Sequence, residues 1–151
     1  MKLEIIEIKT PIIWILNKIQ NSEMHLNIIN NRTTWSYKRM SSFIELIFLG
    51  FPIHNIYLTK QKGNYYKIVT GYQEIRALHM FYESRFFLTR LENLPELYDF
   101  AFFKLSDERK KQFLNYKINI KLISGNKHMK ELAIKLCRRV VTNDLAKQIT
   151  S

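Results

Sequence analysis

An extended run that meets an amphipathic helix at a glycine constrains this chain more than any other feature. Tyr65-Tyr66-Lys67-Ile68-Val69 is aromatic and β-branched, the composition of a strand. Beyond Thr70-Gly71, the residues Ile75, Leu78 and Tyr82 recur at helical spacing. A strand that turns into a helix at a glycine presents free backbone N–H groups at a positive helix end, which suits phosphate. Thr70-Gly71-Tyr72-Gln73 also fits a capping box, in which the threonine oxygen and the Gln73 side chain each satisfy a free N–H.

The remaining elements follow from caps and periodicity. Thr10-Pro11 ahead of Ile12, Ile13, Leu16 and Ile19 predicts a helix with threonine at the N-cap and proline at its first position, ending near Asn21-Ser22. A short extended piece over 26–29 leads into the polar turn Asn30-Asn31-Arg32. Ser36 is placed to cap a second helix that runs through Leu49 and closes at Gly50. Residues 53–58 pattern as a strand, joined through Lys60-Gln61-Lys62-Gly63-Asn64 to the strand over 65–69. The helix after Gly71 runs to about Tyr82, and 85–91 predicts a further strand or strand pair. Ser106-Asp107-Glu108-Arg109 starts a helix with acids in its first turn, as the helix dipole favours, and this helix ends near Asn115. Residues 117–123 alternate as a half-buried strand until Gly125-Asn126 breaks it. Leu132, Ile134, Leu136 and Val140 pattern a last helix, with a short tail helix from about 142. That order predicts one compact α+β domain over 1–151, a small mixed sheet packed with several helices.

Composition agrees with one domain, since 151 residues with 46% hydrophobic content can bury a core of their own. The apolar run around 43–52 is interrupted by Glu45 and too short to span a bilayer, so no membrane partner is expected. Glu4 and Glu7 fall inside what would be the apolar core of a secretory signal, which argues against one. The lone Cys137 excludes an intramolecular disulfide and fits a reducing cytoplasm. Charge is the second strong constraint. The chain has 24 Lys+Arg against 13 Asp+Glu, a formal net charge of +11. From Ala101 onward there are 12 basic and 4 acidic residues, a net +8, which leaves 12 basic and 9 acidic, or +3, for the first hundred. Such a bias is either the footprint of a nucleic-acid binder or a lysine-rich solvated surface.

Several motifs together resemble the ParB/sulfiredoxin-like domain at the N-terminus of GmrSD-type modification-dependent restriction proteins. The turn of that family carries Asp-Gly-Gln-Gln-Arg before an apolar helix, where this chain has Thr70-Gly71-Tyr72-Gln73-Glu74. Asn31-Arg32-Thr33-Thr34-Trp35-Ser36 is similar to the family's Gln-Arg-Pro-Tyr-x-Trp-Ser, one residue shorter and without its proline. Leu49-Gly50-Phe51-Pro52-Ile53 matches the family's Leu-Gly-x-Pro-Ile, and Phe113-Leu114-Asn115-Tyr116-Lys117-Ile118 is also typical. Cys137-Arg138-Arg139-Val140-Val141 lies where the family has Phe-x-Arg-x-Asn. The resemblance implies a family that couples nucleotide hydrolysis to DNA cleavage in phage defence, often with a C-terminal nuclease domain for which this chain has no room.

The residues that carry chemistry in that family have changed. Thr70 replaces the acid and removes a metal ligand or general base. Glu74 stands where an arginine would grip phosphate in bidentate fashion, and Val141 replaces the asparagine. Arg76 takes over the arginine's place only if the turn shifts register, while Arg139 is retained. The remnant motif Thr70, Gly71, Tyr72, Gln73, Glu74, Arg76 and Arg139 is therefore expected to be non-catalytic.

The candidates for nucleic-acid contact, with DNA as the expected partner, are Arg32, Lys110, Lys111, Lys127, Lys130, Arg138 and Arg139. Trp35 is expected in the core, with base stacking as its alternative. His25, His54, His79 and His128 show no metal-ligand spacing, and neither a Walker loop nor a dinucleotide fingerprint occurs, so no metal or cofactor is expected. Cys137 reads as a packed thiol. Two further readings stay open: a protein–protein subunit that partners an active relative, and a residual NTP-dependent nuclease with a shifted motif.

Overall fold

A computed structural model describes residues 4–26, 34–53 and 56–150. Five α-helices and a four-stranded mixed sheet make up the described chain, an α+β fold as expected. The strands are β1 (Glu4–Pro11), β2 (Ile56–Lys60), β3 (Tyr66–Thr70) and β4 (Lys117–Ser124). The helices are α1 (Ile12–Gln20), α2 (Tyr37–Leu49), α3 (Tyr72–Tyr82), α4 (Asp107–Asn115) and α5 (Lys127–Thr150). The sheet order is β1-β4-β2-β3. β4 pairs antiparallel with β1 and parallel with β2, which pairs antiparallel with β3 across a bulge between Tyr57 and Leu58.

Where local chemistry is strong, the expected elements form. The Ser36 hydroxyl accepts from the Arg39 N–H at the start of α2, and Gly50 ends that helix at φ 79°. Ser106 caps α4 in the same way through the Arg109 N–H. α1 begins one residue later than expected, with Pro11 at the N-cap. The reason is that Pro11 is itself extended, at ψ 155°, and completes β1 opposite Lys117.

Other expectations are corrected. Glu4-Ile5-Ile6-Glu7-Ile8-Lys9 lacks the clean alternation that marks a strand in sequence, and pairing with β4 is what holds β1 extended. No strand forms over 85–91, where Arg90 has a positive φ. α2 instead ties the long loop down with side chains. The Ser41 hydroxyl accepts from the Thr89 N–H, and the Glu45 carboxylate, only 7% exposed, accepts from the Asn93 and Leu94 N–H groups. The last helix and the tail helix are one continuous element, with the Asn126 side chain accepting from the Met129 N–H at its start. The piece over 27–29 and the turn at Asn30-Asn31-Arg32 lie outside the described residues.

Alternation gives the sheet two unlike faces. The inner face presents Ile118 and Ile120 of β4 with Ile56 and Leu58 of β2. α1 to α4 bury it in a core that includes Ile12, Ile44, Leu78, Phe81 and Phe113. On the outer face, Val69 and Ile123 meet Ala133, Ile134 and Cys137 of α5. That single helix covers the outer face at the Ile123 end.

Candidate nucleic-acid interface

At the strand–helix turn, the geometry departs from a capping box. Gly71 is itself the N-cap of α3, in the left-handed region at φ 93°, and no side chain caps the helix. Thr70 is thus one residue too early to cap. Its hydroxyl and the Tyr72 phenol are buried without a hydrogen-bond partner among the described residues. The Gln73 side-chain oxygen Oε1 reaches away from the turn and accepts from the Trp35 N–H at 3.1 Å. Burial pushes the Tyr72 phenol above its ordinary pKa, and the positive charge of Arg76 pulls the other way. The Arg76 guanidinium donates to the Met40 sulfur of α2 at 3.7 Å, so it lies against the inner-face helices. A Cβ on Gly71 would come within 2.8 Å of Ile56 Cγ1, which packs the turn directly onto β2. Glu74 falls in the first turn of α3, where its charge favours the helix and opposes an anion.

The candidate cations fall into two groups on opposite sides of the sheet. Lys110 and Lys111 belong to α4, and the Lys110 ammonium lies over the Phe102 ring at 5.8 Å. Lys127, Lys130 and the exposed Arg139 belong to α5, on the outer side. The Lys130 ammonium donates to the Lys60 carbonyl at 2.8 Å and so fastens the start of α5 over the end of β2. Arg76 and Arg139, the two arginines of the remnant motif, are likewise on helices that cover opposite faces. Arg32 lies outside the described residues, as do the side chains of Arg138 and Val141.

The outer face beyond the cover of α5 carries cations that sequence reasoning missed. Lys117, Asn119 and Lys121 alternate with the buried Ile118 and Ile120, so all three project from this face. Lys9 of β1 stands opposite Asn119, and Glu7 stands opposite Lys121. The Lys121 ammonium sits 5.9 Å from the Tyr57 ring centroid, which puts an aromatic plane in the same stripe. Lys127 and Lys130 lie on the first turn of α5, past the covered Ile123 end of the same face, with Lys130 on the Lys60 carbonyl. The alternation over 117–123 signalled the β4 half of the stripe, but Lys9 joins it only because β1 pairs there. A row of cations two residues apart on a strand can lie along a nucleic-acid backbone, while the Tyr57 ring packs against the Val69–Ile123–Ala133 cluster with Lys121 over it.

Comparison with protein-family models, curated proteins and solved structures finds no match.

Elsewhere, Trp35 packs at the rim of the core with its ring edge-on to Phe43 at 5.5 Å, and the Arg39 guanidinium lies over it at 4.7 Å. Cys137 is half buried against the outer face, and burial pushes its thiol pKa up, so the thiol stays protonated. Among the described residues, no three of His, Cys, Asp and Glu are grouped to hold a metal ion, and no helix is long and apolar enough to cross a membrane.

Proposed function

We propose that this protein binds nucleic acid, DNA foremost, on the outer face of its sheet and along the first half of α5, without catalysis at the Thr70–Gly71 turn. The observation that supports this reading is the stripe of Lys9, Lys117 and Lys121 on a part of the sheet face that no described helix covers, with Lys127 and Lys130 at the start of α5 on the same side. Along that stripe Glu7 is the acid that the strand pairing supplies, in a chain of net charge +11. On this reading the chain is a degenerate relative of the ParB-like half of GmrSD-type proteins, acting in the cytoplasm in a defence or mobile-element setting. Thr70 and Glu74 do not supply the acid and the arginine that catalysis in that family uses.

Fluorescence anisotropy with labelled duplex DNA across a salt series tests the proposal. Micromolar binding is expected, with affinity falling steeply in salt; each lysine–phosphate contact contributes a slope of about 0.9 in log–log form. Affinity that ignores salt, or no binding at low salt, would remove the reading.

A second reading is favoured by a separate observation. β1 is an edge strand whose outer side is unpaired within the sheet, and Ile5, Ile6 and Ile8 on it are 38–49% exposed. Such an edge suits strand addition by a protein partner. A pull-down partner lost on Ile6→Lys, alongside absent DNA binding, would put this reading first.

A further inference from the structure

At the open end of the outer face, Lys9, Lys117 and Asn119 line one depression of about 300 Å³ with Tyr116, Pro52 and Ile53. The strand register explains the convergence. Lys9 faces Asn119, and Lys117 sits two residues along β4, so the two lysines are diagonal neighbours, roughly 7–8 Å apart in a sheet of this kind. Like charges at that separation repel, and among the described residues no carboxylate lines the depression to relieve them. Glu7, two residues back on the same face of β1, stands opposite Lys121 and does not line the depression. The wall is well held, because the Tyr116 hydroxyl donates to the Phe51 carbonyl and Gly50 closes α2 just before it. Two cations and an amide on a braced, concave surface form a receptor for an anion rich in acceptor oxygens.

We propose that this depression binds the terminal phosphate of a nucleic-acid strand lying on the lysine stripe, an assignment that rests on the nucleic-acid reading above. A terminal phosphate carries close to two negative charges and an additional free oxygen, whereas an internal phosphodiester carries one charge. The paired lysines therefore favour the end over the interior of a strand. A strand laid along Lys121 and Lys117 meets Pro52 and Ile53 at this point, which suits a terminus better than a continuing backbone.

The test compares oligonucleotides of one sequence bearing a 5′-phosphate, a 3′-phosphate or hydroxyl ends, by anisotropy competition on the full chain. A nucleoside monophosphate and inorganic phosphate serve as separate competitors. One phosphorylated end is expected to bind about tenfold tighter than the hydroxyl-ended strand, the scale of a charge-assisted hydrogen bond. Lys9→Gln should bring that ratio close to one, and because the readout is a ratio, general weakening of binding does not imitate the result. Thermal melting of Lys9→Gln within a degree or two of the parent establishes that the fold is kept. Salt-sensitive binding with a ratio of one in the parent protein would overturn the end-binding assignment and leave the nucleic-acid reading standing. Binding of the monophosphate without binding of any strand would make this a mononucleotide site and overturn the assignment. No binding of any probe would overturn both.

Discussion

The two faces of the sheet are built from the same four strands, yet they have been put to different use. Four helices close the inner face, and Phe48, Phe81, Phe102 and Phe113 pack there in edge-on and tilted pairs with centroids 5.3–6.3 Å apart. Among the described residues, the outer face is covered by α5 at one end and left open at the other, where Lys9, Lys117 and Lys121 project. Apolar residues at one parity of β4 and charged or polar residues at the other make this possible, because successive side chains leave a strand on opposite sides. The comparison teaches that most of the buried core lies on the inner face; if the outer face binds nucleic acid as proposed, substitutions on the two should fall into separate classes.

Phe81→Ala should have the largest effect. Phe81 is fully buried among aromatic neighbours, and its removal is expected to lower unfolding free energy by about 3–5 kcal/mol in a denaturant titration. A loss no greater than that of an outer-face lysine variant would break the comparison at once.

Gly71→Ala comes next. A left-handed backbone costs a non-glycine residue about 1–2 kcal/mol, and the added Cβ would press on Ile56 at 2.8 Å. The same titration should show a loss of at least that size, while DNA binding by the folded fraction stays unchanged. Binding lost in step with a locally disturbed turn would mean that the turn, not the outer face, holds the ligand.

The lysines sharpen the contrast. Lys117→Glu with Lys121→Glu should weaken duplex binding more than tenfold, a change of about 1.4 kcal/mol or more, with the melting temperature little altered. Lys110→Glu with Lys111→Glu, on α4 across the sheet, should weaken binding less than threefold, as loss of long-range attraction alone would do. Equal effects from the two pairs would mean that net charge, rather than a defined face, attracts the nucleic acid.

The smallest effect concerns Cys137. Burial raises its thiol pKa in the folded state, so stability from this group is fully present below the unfolded-state value, about 8.5, and is lost as pH rises through the folded value. Alkylation of the native protein should accordingly show its half-point at higher pH than a free thiol. A lower half-point would place Cys137 in an electropositive site rather than in the packed outer-face layer.

Legibility in the sequence followed the range of the forces involved. Ser36 to Gly50 and Ser106 to Asn115 were readable because a cap, a period and a stop act within a few residues. Residues 85–91 pattern as a strand but form part of a loop. Its hydrophobic residues do enter the core, as Phe86, Leu88 and Leu91 show, but Ser41 and Glu45 of α2 hold its backbone instead of a strand partner. The capping box failed for a similar reason. Gly71 at positive φ shifted the helix start by one residue, and Gln73 found the Trp35 N–H, 38 positions away in the chain.

The candidate interface divides along the same line. The sequence by itself determined the excess of positive charge, its concentration after residue 100, and the alternation that sends Lys117 and Lys121 away from the core. Only the tertiary structure decided which face stays open, that α4 and α5 carry their lysines to opposite sides, and that Lys9 comes beside Lys117. Charge and periodicity are properties of neighbouring residues, whereas the meeting of Lys9 with Lys117 requires a pairing across more than a hundred residues. That pairing is held by sheet hydrogen bonds and by the burial of Ile118 and Ile120 on the other side.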